Sequence, residues 1–409
     1  MIAGREVAGF SDREIADLLA PLRPAAPDST ENATRRDAFA DAVWSCLVEP
    51  GDATAGVLRL ALGPAAALVA LDESDAVVER RLTDAGVPDP SRLGLAAARA
   101  RWAPRAVEGR LRGAFRSARV MGVRLVVAGD PEWPGGLSDL GAHGPAALWV
   151  RGDPGVLVSG PSVALVGCRA ASAYGEQVAA ELADGLVSRG FAVHSGGAYG
   201  IDGMAHRAAL AAEGTTAAVM AGGVDRLYPA GHHDLLSRVA ARGAVVSELP
   251  CGTSPSRWRF LQRNRILAAL TAATVVVEAG HRSGALNTAG HAAALGRPLG
   301  VVPGPVTSPA SAGCHRLLRD GGAVCVTSAD DVRQLVMPTL DLGGDAGPLR
   351  LPPEQLRVLD ALSSRRPRDE AAIAASSGLS AERVAGVLAV LELDGRAVEG
   401  EGGWLRGRG

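Results

Sequence analysis

Short runs of β-branched and aliphatic residues alternate with helical stretches from residue 120 to residue 332. The strand candidates are residues 123–128, 162–167, 191–196, 215–222, 243–248, 273–278, 298–304 and 322–328. Between two of them, Val178, Leu182 and Leu186 recur with the spacing of one helix face. Strands that are apolar along their length and alternate with helices predict a mostly parallel sheet covered on both faces. We therefore expect an α/β domain, which we place at residues 118–335.

The flanking segments have different patterns. Residues 1–30 are mixed in character and predict a mobile N-terminal extension. Residues 31–117 are helical with short breaks, which predicts a small helical domain of the SAM or helix-hairpin-helix type. Residues 336–352 are rich in Gly, Asp and Pro and predict a linker. Residues 353–409 predict three helices and a two-stranded ribbon, the pattern of a winged-helix domain.

Polar and glycine-rich segments follow six of the predicted strands. They begin with GCRAAS at 167, GGAYGI at 196, GGVDRL at 222, SELPCG at 247, EAGHRS at 278 and PGPVTS at 303. The carboxyl ends of parallel strands meet at one edge of a sheet, where ligands bind. Arg169 follows one strand closely, and Ser283-Gly284 precedes a predicted helix whose free N–H groups face the same edge. This edge is expected to bind an anion.

Basic residues are concentrated in one part of the chain. Residues 256–320 contain eight arginines and two acids, a local charge of +6, and the rest of the chain carries −8. The chain has no lysine, which excludes a P-loop ATPase and a pyridoxal enzyme because both need a lysine side chain. Such clustering in a chain of net charge −2 predicts a polyanionic ligand.

The stretch RWRFLQRNRILAAL, residues 257–270, places aromatic residues among these arginines. Aromatic rings stack on unpaired bases, so Trp258 and Phe260 favour single-stranded nucleic acid, unless they anchor the segment in the core. We expect residues 263–265 to begin a helix and residues 257–259 to lie in the loop before it.

The third helix of the predicted winged-helix domain is acidic. It carries Glu382, Glu392 and Asp394 against a single arginine, Arg383. Phosphates would repel such a helix, so a packing or protein-contact role is expected rather than duplex binding.

Several polar residues are candidates for catalysis. Glu248 and Glu278 could form an acid/base pair, but capping a loop or pairing with an arginine is the preferred interpretation. Asp202 and His206 are expected to be structural, and residues 232–233, both histidines, to lie in a solvated loop. The loop at 167–175 lacks the G-x-G-x-x-G pattern, which argues against a nicotinamide cofactor.

The cysteines and the N-terminus indicate a cellular compartment. The five cysteines are widely spaced without a C-x-x-C pair, which argues against a disulfide framework or a zinc site. The first residues lack the apolar segment of a signal peptide, and no run reaches the roughly 18 apolar residues of a membrane span. A soluble cytoplasmic protein without membrane association is expected.

Seven motifs, in this order and spacing, resemble the extended Rossmann-like domain of the DNA-processing protein A (DprA/Smf) family. They are VGCRAASAYG, SGGAYGIDGMAH, AGGVDRLYP, SELPCGTSP, FLQRNRILAAL, VVEAGHRSGALNTAGHAAALGRPLGVVPG and SAGCHRLLRDGGA. The resemblance implies a non-catalytic protein, without a cofactor, that binds and protects single-stranded DNA in natural transformation and homologous recombination. It also implies loading of the RecA recombinase and a homodimer formed through the Rossmann-like domain.

The resemblance also implies a DNA pocket. Its residues are Arg169, Ser195, Gly196, Tyr199, Phe260, Arg263, Asn264, Arg265, Ser283 and Gly284, and we add a rim of Arg226, Arg257, Trp258, Arg259 and Arg282. The chain departs from the family pattern at Ala230, Cys314 and His315, and Tyr199 stands where the family usually has arginine.

Two other classes of function remain open. A nucleotide hydrolase of the lysine-decarboxylase-like, cytokinin-activating type has a related fold, but its PGGxGTxxE loop is absent from residues 276–284. A protein-interaction scaffold with vestigial DNA binding would fit the acidic winged helix. Binding of single strands, of free nucleotides or of neither distinguishes the three.

Overall fold

The computed structural model describes residues 6–23, 31–337 and 351–407. The strands are β1 (Glu6–Val7), β2 (Phe10–Ser11), β3 (Arg124–Val127), β4 (Ala147–Gly152), β5 (Ser162–Gly167), β6 (Ala192–Ser195), β7 (Thr216–Val219), β8 (Ala244–Ser247), β9 (Ala273–Glu278), β10 (Leu299–Val301), β11 (Val324–Cys325), β12 (Ala397–Gly400) and β13 (Gly403–Arg406). The α-helices are α1 (Asp12–Leu19), α2 (Glu31–Leu47), α3 (Ala53–Leu62), α4 (Pro64–Val69), α5 (Asp75–Asp84), α6 (Leu95–Trp102), α7 (Glu108–Val120), α8 (Ala173–Val187), α9 (Ile201–Ala211), α10 (His233–Arg242), α11 (Arg257–Leu270), α12 (Ala285–Ala294), α13 (Ala312–Arg319), α14 (Ala329–Val336), α15 (Pro353–Ala361), α16 (Glu370–Ser377) and α17 (Ala381–Leu393). These elements form two compact units that separate at residue 338.

The first unit is built on a nine-stranded sheet of order β11-β10-β9-β5-β6-β7-β8-β4-β3. The strands from β5 to β11 run parallel, and β4 and β3 extend one edge in antiparallel pairing. The predicted α/β class is confirmed, and all eight predicted strands are present. Strand β4 was not predicted, because the segment between it and β3 contains a 3-10 helix, Gly135–His143, and not the α-helix that the alternating pattern leads one to expect.

Side chains of the parallel strands are buried on both faces of the sheet. In β5, Val163 and Leu165 belong to one hydrophobic core with α8 and α9, and Ala164 and Val166 belong to the opposite core with α11 and α12. The alternation follows from the two-residue period of a strand. Helices therefore cover the sheet on both faces, and the carboxyl ends of the strands remain open at one edge.

The helical segment before the sheet packs on its antiparallel edge. The rings of Phe39 and Phe115 lie 5.8 Å apart, and Phe115 in turn contacts Trp149 of β4 at 5.6 Å. The indole N–H of Trp149 donates to the Ser45 hydroxyl at 3.1 Å. One hydrophobic core thus extends from α2 and α7 into the sheet. The boundary predicted at residue 118 does not separate two cores.

The N-terminal residues correct one prediction. Residues 6–23 form a short β-hairpin and α1, and Phe10, Ile15 and Leu19 are buried in the first core. Arg23 also holds Asp130 through two hydrogen bonds of 2.6 Å. The expected mobile extension is therefore wrong for residues 6–23. The rest of that prediction, residues 1–5 and 24–30, lies outside the described residues.

The second unit has the predicted winged-helix pattern of α15, α16 and α17 followed by the β12–β13 ribbon. Ser380 caps α17 by accepting the N–H of Arg383 at 3.3 Å. The predicted linker at 336–352 lies mostly outside the described residues. In the described part of the chain, no single helix is long and apolar enough to cross a membrane; the bent pair α16 and α17 passes by length and composition alone.

Two histidines are buried without charge inside the first unit. His194 accepts the N–H of Ala217 at its Nδ1, and Nδ1 of His206 lies 2.8 Å from the Thr216 hydroxyl. The Nε2 atoms of both rings have no partner among the described residues. Burial lowers the pKa of His194 to about 4, and burial together with nearby positive charges lowers the pKa of His206 to about 3.

These depressed pKa values predict a pH dependence of stability. Below about pH 6.5 both histidines are protonated in the unfolded chain but stay neutral in the folded protein. Each histidine therefore lowers the free energy of unfolding by about 1.4 kcal/mol per pH unit until the pH reaches its folded pKa. Replacing both by glutamine removes this loss. Urea unfolding from pH 7 to pH 4 should show the variant gaining stability relative to wild type as the pH falls.

Burial raises the pKa of Asp41 to about 6, so this carboxyl group stabilises the fold as the pH falls, opposite to the two histidines. Its contribution is the same in wild type and variant, and it cancels when the free energy of unfolding of one is subtracted from that of the other. A difference that stays constant with pH would contradict the assignment of neutral, buried histidines.

Candidate functional site

A cavity of about 820 Å³ opens at the carboxyl edge of the sheet. It lies between the ends of β5 and β9, the first turns of α11 and the N-terminus of α12. The predicted site residues that line it are Arg169, Arg257, Phe260, Arg263, Asn264, Arg282, Ser283 and Gly284. Those that do not line it are Ser195, Gly196, Tyr199, Arg226, Trp258, Arg259 and Arg265.

An aromatic cluster forms one wall of the cavity. The rings of Tyr228 and Phe260 lie 5.7 Å apart, and the guanidinium carbon of Arg169 lies 5.0 Å from the centre of the Phe260 ring. Tyr228 is 45% exposed. These groups offer ring faces and a planar cation to a flat ligand. Tyr228 is not among the predicted site residues, although an aromatic residue in a strand-end loop of a chain with only 3% aromatics was a usable signal.

Three arginines around the cavity carry uncompensated charge. Arg169, Arg257 and Arg282 are exposed, and none has a hydrogen-bond or ion-pair partner among the residues that the structure describes. Guanidinium groups without a carboxylate partner remain available for phosphate oxygens. The cavity mouth is therefore cationic and its wall is aromatic.

Arg263 is buried beneath the cavity rather than exposed in it. Its Nη1 donates to the carbonyl of Gly196 at 2.6 Å and to the carbonyl of Val219. These carbonyls belong to the ends of the neighbouring strands β6 and β7. Burial lowers the pKa of Arg263, and the charge of Asp202 opposes that effect.

The residues around Arg263 explain the SGG motif at 195–197. A side chain at Gly196 would collide with the Arg263 guanidinium, so only glycine fits there. The Ser195 hydroxyl donates to the carbonyl of Leu165 at 2.6 Å and is fully buried. Both residues therefore shape the edge from within, and neither faces the cavity.

Asn264 fixes the loop before α12. Its side-chain nitrogen donates to the carbonyl of Gly284 at 3.4 Å and to the side chain of Asn287 at 3.1 Å. The Ser283 hydroxyl accepts the N–H of Ala285 at 3.3 Å. The N–H groups of Leu286 and Asn287 donate to the carbonyls of Ser283 and Gly284, at 3.2 and 3.1 Å. The first turn of α12 therefore lines the cavity, but it uses these N–H groups internally, and the free N–H groups predicted from the sequence are not found there.

Arg265 corrects the predicted pocket. Its guanidinium is buried and donates to Glu248 at 2.5 Å, and neither residue lines the cavity. Arg259, predicted for the rim, is also paired: it makes two hydrogen bonds to Glu49, of 2.7 and 3.0 Å. Neither arginine is free for an external anion.

The start of α11 also differs from the prediction. The helix begins at Arg257, where Ser256 caps it by accepting the N–H of Arg259 at 3.3 Å. Residues 263–265 therefore lie in the second turn, and residues 257–259 form the first turn instead of a loop. The sequence signal was the serine cap, six residues earlier than expected.

The remaining rim candidates lie outside the cavity lining. Trp258 is 56% exposed in the first turn of α11, and Arg226 is exposed without a partner in the described part of the chain. Tyr199 accepts the N–H of Gly231 at 3.2 Å, and its ring contacts His232 at 4.7 Å. Tyr199 thus holds the loop at 230–232 while leaving part of its ring exposed.

The candidate catalytic residues have structural roles. Glu278 accepts the N–H and the hydroxyl of Ser172, at 2.9 and 2.7 Å, and so fixes the loop that carries Arg169. The Cys168 thiol also contacts this carboxylate at 3.2 Å; burial and Glu278 raise the pKa of that thiol to about 12. Glu248 pairs with Arg265, so the preferred structural interpretation of both glutamates is confirmed.

The structural role predicted for Asp202 and the solvated loop predicted for residues 232–233 have different outcomes. Asp202 accepts the N–H groups of Gly196 and Ala198, at 3.2 and 3.4 Å, which confirms a structural role. The solvated loop predicted for residues 232–233 is wrong for His232, which is buried and accepts a hydrogen bond from Arg207 at 3.2 Å.

The amino-acid sequence matches two family models and several known proteins. Residues 124–337 match the family described as DNA recombination-mediator protein A, and residues 345–403 match the DprA winged helix domain. The chain is 50% identical over 299 residues to the putative DNA processing protein DprA of Mycobacterium tuberculosis, covering 69% of this chain and 77% of the relative. It is 35% identical to DNA processing protein DprA of Bacillus subtilis over 214 residues, 52% of this chain and 71% of the relative.

A solved structure agrees with these matches. The X-ray structure of DNA processing protein A from Streptococcus pneumoniae is similar with a TM-score of 0.58 and 29% identity. The similarity covers 73% of this chain and 96% of the solved chain.

The Arg265–Glu248 pair generates a stability prediction. Arg265→Ala leaves a carboxylate buried without a partner, so the free energy of unfolding should fall by about 3–5 kcal/mol. The double variant Arg265→Met with Glu248→Leu removes both charges and should recover most of that loss. Urea unfolding followed by tryptophan fluorescence measures both. The control is Arg80→Ala, an exposed arginine without a partner in the described residues. An Arg265→Ala loss no larger than that of the control would contradict the buried pair.

Proposed function

Because the chain belongs to the DNA-processing protein A (DprA/Smf) family, we propose that it binds single-stranded DNA in the cavity at the carboxyl edge of its sheet. The proposed contact residues are those at the cavity wall and mouth, namely Arg169, Tyr228, Arg257, Phe260, Arg282, Ser283 and Gly284. Arg263 and Asn264 act from beneath by holding the edge and the α12 loop in place.

The observation that carries this proposal is the Arg169–Phe260–Tyr228 cluster. Base stacking on an aromatic ring contributes on the order of 1–3 kcal/mol per base, and only an unpaired base exposes its face. The arginines at the mouth have no hydrogen-bond or ion-pair partner among the described residues, and they and the positive end of the α12 dipole are suited to the adjoining phosphates. A duplex offers the same phosphates but keeps its bases stacked, so it cannot use the aromatic wall.

The wider role follows from the family. We propose that the protein protects single strands in the cytoplasm and helps load the RecA recombinase on them, in natural transformation or in other homologous recombination. In this role it acts without catalysis and as a homodimer formed through the sheet domain. The structural roles of Glu248 and Glu278 support a binding protein, since both carboxylates are committed to internal contacts.

Fluorescence anisotropy with labelled oligo-dT, its duplex and competing mononucleotides tests the proposal. We expect the single strand to bind more tightly than the duplex, with an affinity that falls steeply with salt because phosphate contacts release counterions. Mononucleotides should compete weakly and remain intact. Equal affinity for both DNA forms, or hydrolysis of a mononucleotide, would overturn the proposal and favour the hydrolase class in the second case.

A charge variant then locates the site. Arg169→Ala with Arg282→Ala removes two phosphate contacts, so the slope of log affinity against log salt for oligo-dT should become shallower by about 1.4. The matched control is Arg80→Ala with Arg238→Ala, which changes the net charge equally at exposed positions away from the cavity lining. If both variants flatten the slope alike, the cavity is not the binding site.

A further inference from the structure

Helix α7, in the helical segment, carries a second group of uncompensated arginines. Arg110, Arg116 and Arg119 are exposed on this 13-residue helix, and none has a hydrogen-bond or ion-pair partner among the described residues. The stretch from residue 99 to residue 119 contains seven arginines and one acid, Glu108. No chemistry is predicted for this segment from its sequence.

The helix orients these arginines toward solvent. Leu111, Ala114, Phe115 and Ala118 are buried and fix one face of α7 against the core. Successive residues turn by about 100°, so Arg110 and Arg119 lie on opposite borders of the outer face, about 13 Å apart along the axis. Arg116 lies between those borders, on the outer face itself.

Small residues occupy the middle of the outer face. Gly109 and Gly113 have open space beyond their backbones, where a side chain would meet nothing within 4 Å. An extended polyanion can therefore approach the helix closely between the arginine borders. Protein interfaces are usually anchored by aromatic side chains, and this face carries none.

Neighbouring acids do not neutralise the three arginines. Among the residues that the structure describes, the ion pairs of α7 are those of Arg112 with Glu14 and Glu108, at 3.1 and 2.7 Å. On the adjacent helix α1, Asp12 pairs with Arg36. The outer face therefore keeps the three positive charges of Arg110, Arg116 and Arg119, because the acids named here are paired with other arginines.

A chain of ion pairs links α7 to the cavity. Arg259, in the first turn of α11, and Arg105, three residues before α7, both bind Glu49. Arg257 and Phe260 line the cavity from that same turn of α11. The wall of the cavity and the start of α7 thus meet at one carboxylate.

We propose that the outer face of α7, formed by Arg110, Arg116 and Arg119 around Gly109 and Gly113, is a second contact for the sugar-phosphate backbone of single-stranded DNA. A strand that leaves the cavity past the first turn of α11 then continues along α7. The contact is independent of base sequence, since it involves phosphates alone. This inference rests on the proposed function, because the cavity supplies the strand.

The test compares a short and a long strand. Oligo-dT of about 6 nucleotides fills the cavity alone, and about 40 nucleotides can reach both surfaces. The triple variant Arg110→Ala, Arg116→Ala, Arg119→Ala should bind the short strand like wild type. Its affinity for the long strand should fall about tenfold, and the salt slope should become shallower by about 2, the release expected from three contacts.

Two controls separate a specific contact from a general effect. The Arg→Lys variant at the same three positions keeps the charge and should retain long-strand binding. The Arg80→Ala, Arg238→Ala variant tests net charge away from α7 and should retain it as well. Thermal unfolding confirms that each variant is folded.

The possible results of these binding measurements distinguish failure of the α7 contact from failure of the cavity proposal. Unchanged long-strand binding by the triple variant overturns the α7 contact and leaves the cavity proposal standing; an α7 face that binds an acidic protein would give this result. Equal losses for the short and the long strand also overturn it. If wild type binds neither strand, the proposed function itself fails, and the inference fails with it.

Discussion

The carboxyl edge of the sheet depends on one buried guanidinium. Arg263 crosses under the cavity and donates to the carbonyls of Gly196 and Val219, which end two neighbouring strands. A buried charge is tolerated only when its donors are satisfied, and here the strand ends supply the acceptors. Gly196 must be glycine to admit it, and Asp202 lies close enough to oppose the lowering of its pKa. The cavity exists because these groups hold its floor.

Arginine serves two distinct purposes in this lysine-free chain. Arg263 and Arg265 bind carbonyls and a carboxylate within the sheet domain, and Arg259 joins that domain to Glu49 of the helical segment. The exposed arginines at the cavity mouth and on α7 face solvent and have no such partners within residues 6–23, 31–337 and 351–407. The first group sets the geometry, and the second group provides the charge that an external polyanion meets.

The parallel sheet and the winged-helix pattern could be predicted, because apolar strands and helix caps are local signals in the sequence. The strand-end loops also indicated the edge of the sheet at which the cavity lies. The pocket was predicted less well, because ion pairs with residues outside the basic stretch determine which arginines are free. Glu49 neutralises Arg259 and Glu248 neutralises Arg265, so the charge available to a ligand is smaller than the local +6. Tyr228 was missed because its place beside Phe260 depends on packing between β7 and α11. The exposed arginines of α7 were not predicted as a site, since only the fold shows that the acids in the described part of the chain do not pair with them.

The central claim is that single-stranded DNA occupies the cavity at the carboxyl edge. Hydrogen–deuterium exchange with and without oligo-dT tests it most directly, because bound strands slow the opening of the backbone they contact. The account predicts slower exchange in the loop at 168–172, in the first turns of α11 and at the N-terminus of α12. Unchanged exchange in all three segments, with protection on α17 of the winged helix instead, would contradict it.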